Sequence, residues 1–197
     1  MKIPPKTERE AQDALEAYKR ARILDIARKK GQIFTLALDL EGTIISNLSK
    51  GKLDTMDPGP FSPRPGLWDF LEWAQARFTL VIFTGVPPEM AAKAMGRLVL
   101  AGAAPAWFAE LPLFEANPPF GEWKIKMSRR PKDLERIGPL GTVIVLDDNF
   151  FTHRISGQDE FWLEIRSFRA ADAATDTELT AIRPQIEALA ARLAEKE

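Results

Sequence analysis

The 197-residue chain has no cysteine, one histidine and one tyrosine. The missing cysteine excludes disulfides, thiolate metal sites and cysteine nucleophiles, and fits a reducing compartment. Charge of one sign is also missing: 27 basic residues face 28 acidic ones. That balance gives no global attraction to nucleic acid or to an anionic membrane, so any such preference would need a local patch. No apolar run approaches membrane-spanning length, and "MKIPPKTEREAQ" lacks the apolar core of a signal peptide. The expected compartment is the cytoplasm, with no membrane partner. Repeats and low-complexity linkers are absent too. What remains is an ordinary globular composition, 45% hydrophobic and 28% charged, at a length suited to one domain over residues 1–197.

Thr7 to Lys30 is charged and free of glycine and proline, with Thr7 and Glu10 spaced as a capping box and Gly31 as a stop. It predicts an N-terminal helix over 7–31 with an apolar stripe of Leu15, Tyr18, Ile23, Ile26 and Ala27, packed on the domain edge or on a partner. "QIFTLALDL" reads as a buried strand, and Ser49 to Gly66 as a long loop rich in turn formers. Leu67, Phe70, Leu71 and Ala74 share one face of a helix over 67–77. Strand "FTLVIF" follows at 78–83, then a helix opened by Pro87 and Pro88 and running to about Leu100. Gly102 to Arg130 mixes aromatics and prolines and predicts irregular strands over the sheet. "PKDLERIG" predicts one or two helical turns, "TVIVLDD" a third buried strand and "EFWLEIRSF" a fourth. Asp176 to Lys196 predicts a closing helix broken or kinked at Pro184. Alternating strands and helices imply parallel crossovers, hence a three-layer αβα fold with a mainly parallel sheet over 33–168.

In such sheets ligands bind beyond the carboxyl ends of the strands. Asp39 and Glu41, Thr84 and Gly85, and Asp147 and Asp148 each fall at such an end, so all should converge on one edge. Acids gathered there repel one another unless a cation sits among them, and a hard ion with oxygen ligands, Mg²⁺, suits the donors. The Thr84 hydroxyl and the peptide N–H groups around Gly85 suit a phosphoryl oxygen. A lysine from "KIKMSRRPKD" would add fixed positive charge. Asp39 is then a carboxylate nucleophile and Glu41 an acid and base. The chemistry this predicts is Mg²⁺-assisted phosphoryl transfer to water.

Here the chain resembles the haloacid dehalogenase-like superfamily. "DLEGT" is similar to its first motif, Thr84 in "VIFTG" to its second and "VIVLDD" to its fourth. The resemblance is closer to the branch of NLI-interacting factor-like and small CTD phosphatases. It is carried by "RPGLWDFLEWAQARFTLVIFTG", "RPKDLERIG" and "VIVLDDNFFTHRISGQDEFWLEI", and runs from about Phe34 to Phe168. It implies a small or minimal cap and a phosphatase with an aspartyl-phosphate intermediate. Asp39 would be nucleophile and metal ligand, and Glu41 general acid and base with its main-chain carbonyl on the metal. Thr84 would bind the phosphoryl group, Lys132 would neutralise it, and Asp147 and Asp148 would complete the acid set. Lys124 and Lys126 are near enough in sequence to take the place of Lys132. Glu41 stands where most of the superfamily has Asp, and Asp148 where this branch tends to have Asn.

His153 is placed at the surface or behind the catalytic groups, since the chemistry already has its base. Trp68, Phe70 and Trp73 are expected in the core, and Trp107, Phe108, Phe114, Phe120 and Trp123 packed under a cap segment. The expected substrate is a phosphoprotein or another phosphate ester, small molecules included, reaching an open site. The alternatives are a binding module without turnover and a phosphatase of nucleotides or nucleic-acid ends, the latter gripped by Lys124, Lys126, Arg129 and Arg130.

Overall fold

A computed structural model describes residues 8–48, 51–116 and 131–196. Five strands form one sheet: β1 (Thr35–Leu38), β2 (Thr79–Thr84), β3 (Leu113–Glu115), β4 (Val143–Asp147) and β5 (Trp162–Glu164). All four pairings are parallel, and the spatial order is β3-β2-β1-β4-β5. Every residue of β1, β2 and β4 is buried, so both faces of the sheet are covered, as the near-continuous apolar runs of these strands require. The fold is the expected three-layer α/β arrangement.

Helices α1 (Glu8–Lys30), α2 (Leu67–Gln75) and α3 (Pro88–Leu100) precede the fourth strand. The α2 face of Leu67, Phe70, Leu71 and Ala74 is buried as its spacing predicts, and α3 starts on Pro88. A short α4 (Phe150–His153) follows β4. The closing segment is two helices, α5 (Glu178–Ala181) and α6 (Arg183–Ala194), with the break just before Pro184.

Three expectations need correcting. Gly102 to Ala116 does not lie over the sheet. After a 3₁₀ turn at Ala106–Glu110 it supplies β3, which extends the sheet at its edge. Phe108 in that turn and Phe114 in β3 are both buried, so these aromatics are core. Trp68 is 45% exposed, while Phe70, two positions on, fills the core face of α2. On α1, Leu15 and Tyr18 are exposed and Ile23 alone of that stripe is fully buried. Thr7, Phe120 and Trp123 lie outside the described residues.

The chain's route fixes where a site can form. From β1 it winds outward through β2 to β3, then returns to the other side of β1 for β4 and β5. The winding therefore reverses between β1 and β4, and a crevice opens at the carboxyl ends of neighbouring strands wherever that happens.

Candidate active site

Asp39 follows the last residue of β1, and its amide still pairs with Leu146 O at 3.0 Å, so its position is fixed by the ladder with β4. Asp147 ends β4. Both carboxylates thus flank the reversal point, and both are buried, Asp39 at 3% exposure and Asp147 at 0%. Lys132, itself wholly buried, sits between them: Nζ donates to Asp39 Oδ1 at 2.7 Å and to Asp147 Oδ2 at 2.5 Å. Of the three lysines weighed from sequence, the structure brings Lys132 to the acids. Lys124 and Lys126, with Arg129 and Arg130, lie outside the described residues.

The electrostatics follow from three acids sharing one ammonium. Burial pushes Asp39 up to about 7, because loss of solvation, with the Asp147 charge, outweighs Lys132. Burial acts the same way on Asp147, but the Lys132 charge and the contacts from Lys132 and His153 overcome it and hold Asp147 well below the usual carboxylate range. Burial disfavours the Lys132 charge, yet its two carboxylates more than offset this and raise its pKa above the ordinary 10.5. Asp148 is raised by burial, with the neighbouring Asp147 charge adding to the effect.

The turn after β1 is held from several sides. Gly42 has φ 72° and donates its N–H to Ile45 O at 2.8 Å. Its carbonyl accepts from Phe168 N–H at 2.7 Å and from Arg64 Nη1 at 3.3 Å; Arg64 Nη1 also reaches Thr43 O at 2.9 Å. Arg64 is fully buried and forms a bidentate pair with Asp176, both bonds 2.9 Å. Asp148 N–H donates to Thr43 Oγ1 at 3.1 Å, which ties the first and fourth motifs together. Thr84 is buried at the end of β2, and its Oγ1 accepts from Val86 N–H at 3.2 Å. Gly85 follows it into the turn. Glu41 is partly exposed, and its Oε1 accepts from Leu48 N–H at 2.6 Å, so this carboxylate braces the loop that leaves the motif.

One carboxylate oxygen from each of Asp39, Asp147 and Asp148 lies within 4.8 Å of the others. A set of hard oxygen donors with a surplus of negative charge fits Mg²⁺. The Glu41 side chain is not in that cluster. Sequence reasoning missed Arg64 and Asp176, which are 112 residues apart and carry no local signal, and Thr43, whose place inside "DLEGT" could have flagged it.

Residues 34–196 match the family described as NLI interacting factor-like phosphatase. No curated protein matches the sequence. Two solved structures are similar. One is the RNA polymerase II CTD phosphatase Fcp1 of fission yeast bound to beryllium fluoride, at 16% identity and a TM-score of 0.48, covering 90% of this chain and 57% of that one. The other is Fcp1, described as an essential RNA polymerase II CTD phosphatase, at 16% identity and a TM-score of 0.51, covering 90% and 55%. The second likeness is one of fold. This chain spans little more than half the length of either structure.

Proposed function

The chain belongs to the NLI interacting factor-like phosphatase family, and from that premise we propose that it is a Mg²⁺-dependent phosphomonoesterase working through Asp39. The observation that carries the reading is the buried Asp39–Lys132–Asp147 array at the point where the winding reverses. Asp39, Asp147 and Asp148, with the Glu41 main-chain carbonyl, would hold the ion, which supplies positive charge against the phosphoryl oxygens.

Asp39 attacks phosphorus: the Asp39 O–P bond forms, the ester P–O bond breaks, and the leaving oxygen takes a proton from Glu41. Water then attacks the aspartyl-phosphate while giving a proton to Glu41, and inorganic phosphate leaves with Asp39 restored. To serve both steps, Glu41 turns its carboxyl from the Leu48 amide toward the leaving oxygen. Thr84 accepts from Val86, which leaves its hydroxyl hydrogen to donate to a phosphoryl oxygen, with Gly85 N–H beside it. Lys132 keeps a fixed positive charge against the transferring group. The described part of the loop before Gly66 is a small bridged turn, Lys52 pairing with Asp57, which suits an open site and a phosphoprotein substrate.

The test is hydrolysis of an aryl phosphate with Mg²⁺ and with chelator. Wild type should be active only with Mg²⁺, and Asp39→Asn should lose about 10³-fold or more. The hold of Leu48 on Glu41 favours one second reading, a module that binds without turnover. Equal inactivity of wild type and Asp39→Asn would select it.

A further inference from the structure

His153 is the only histidine in the chain, and nothing in the chemistry above uses it. It nevertheless touches both halves of the buried ion pair. Its Nδ1 lies 2.9 Å from Asp147 Oδ2 and 3.1 Å from Oδ1. An ionised carboxylate only accepts, so Nδ1 carries the hydrogen. The same residue's main-chain carbonyl accepts the Lys132 N–H at 2.7 Å.

We infer that His153 is a positioning residue: it sets the Asp147 carboxylate, and through it the Lys132 ammonium, against the reacting phosphoryl group. This rests on the phosphatase reading above.

The geometry leaves Asp147 little freedom. Oδ1 accepts from Asn149 N–H at 2.7 Å, Oδ2 accepts from Lys132, and the imidazole spans both oxygens. Without the ring, the carboxylate keeps the Asn149 bond on Oδ1 and the Lys132 bond on Oδ2, and it can pivot about the first, carrying the ammonium with it. Lys132 has a long stem, and its Nζ is placed by the two carboxylates it bonds. A pivot of Asp147 therefore moves the ammonium, and a displacement of about 1 Å in a charged group is enough to slow a reaction severely. His153 reaches this point because α4 starts three residues after Asp147, so that one turn brings the sixth residue after Asp147 back over the carboxylate. The ring is 13% exposed, and His153 is not among the buried core residues.

Two variants separate positioning from packing. His153→Ala removes the donor, whereas His153→Asn puts an amide N–H near the place of Nδ1; both keep the main-chain bond to Lys132. For aryl phosphate hydrolysis with Mg²⁺, His153→Ala should lower kcat about tenfold or more with KM nearly unchanged. His153→Asn should recover most of that loss. Equal deficits in the two folded variants, an unchanged kcat, or a KM rise at constant kcat would overturn the inference.

A second readout needs no turnover. The lone histidine gives an unambiguous imidazole signal in ¹⁵N-labelled wild type, which should report the Nδ1–H tautomer. The buried Lys132 ammonium should give an exchange-protected ¹⁵N signal in wild type and His153→Asn that His153→Ala loses. An Nε2–H tautomer, or a Lys132 signal indifferent to His153→Ala, would overturn the inference. Absent Asp39-dependent turnover in wild type would instead overturn the phosphatase reading, and the two resonances would still decide the role of His153.

Discussion

A Cβ on Gly42 would meet Asp148 Oδ2 at 2.1 Å, and the backbone there has φ +72°. Glycine is required for both reasons, since other residues pay about 1–2 kcal/mol in that conformation. Gly42→Ala should therefore lose stability by about that amount but lose Mg²⁺-dependent hydrolysis far more, because Asp148 must move. A melting curve beside a Mg²⁺ titration of activity checks the split. Lys132 carries a different load. Replacing it with Met keeps the stem but leaves Asp39 and Asp147 buried together without a cation. Breaking such a pair typically costs about 3–5 kcal/mol. In urea unfolding at neutral pH, Lys132→Met should show a loss of that size without metal. Added Mg²⁺ should stabilise the variant more than wild type, since the ion supplies charge that the lysine no longer does. A variant indifferent to Mg²⁺ would count against a metal among these acids.

At the level of elements, α1 shows why periodicity alone chose the wrong face in the helix's first half, while Ile23 of the same stripe is buried. The side chains that turn inward are Glu16, Lys19 and Ile23, not Leu15 and Tyr18. Edge strand β3 and the turn beyond Lys132 present groups that want polar partners. Lys19 Nζ donates to Leu113 O at 2.6 Å and lies over the Phe114 ring, while Arg136 pairs with Glu16 and donates to Glu115 O at 2.7 Å. Covering an edge strand in this way also blocks pairing with another chain. Ile23, 2% exposed, is the apolar anchor of the contact. Ile23→Ala should cost about 2–4 kcal/mol. Hydrogen exchange should then show lost protection in α1, with β1 and β4 keeping theirs. The α2 face, by contrast, was legible to the residue, because that helix packs against an apolar sheet with no polar demand.

Across the whole molecule, the reversed winding of the parallel sheet gathers the site, and the buried Arg64–Asp176 pair ties the C-terminal helices to the turn after β1. Burial would raise the Asp176 pKa, but the Arg64 bonds and charge prevail and lower it from 3.8. A depressed carboxylate contributes stability above its unfolded value that is lost as pH falls through the folded one. Asp176→Asn should thus be much less stable than wild type at neutral pH, with Arg64 left unpaired. The gap in urea midpoint should narrow as pH drops below about 4. A constant gap down to pH 3 would mean that the pair adds no charge-dependent stability. Among the described residues, no helix is long and apolar enough to cross a membrane.

The strands that end in acids and their parallel alternation were legible in the residue order, and with them the edge where a site can form. Apolar runs and turn residues are local facts, and the rule that ligands bind beyond strand ends turns them into a position. The folded arrangement was needed to see which lysine enters, that Glu41 rests on Leu48, that Arg64 and Asp176 meet, and that His153 backs Asp147. Each of these is a pairing of charged or polar groups brought together by the fold. A buried charge takes whichever partner the backbone brings within reach, and no local pattern in the chain encodes that reach.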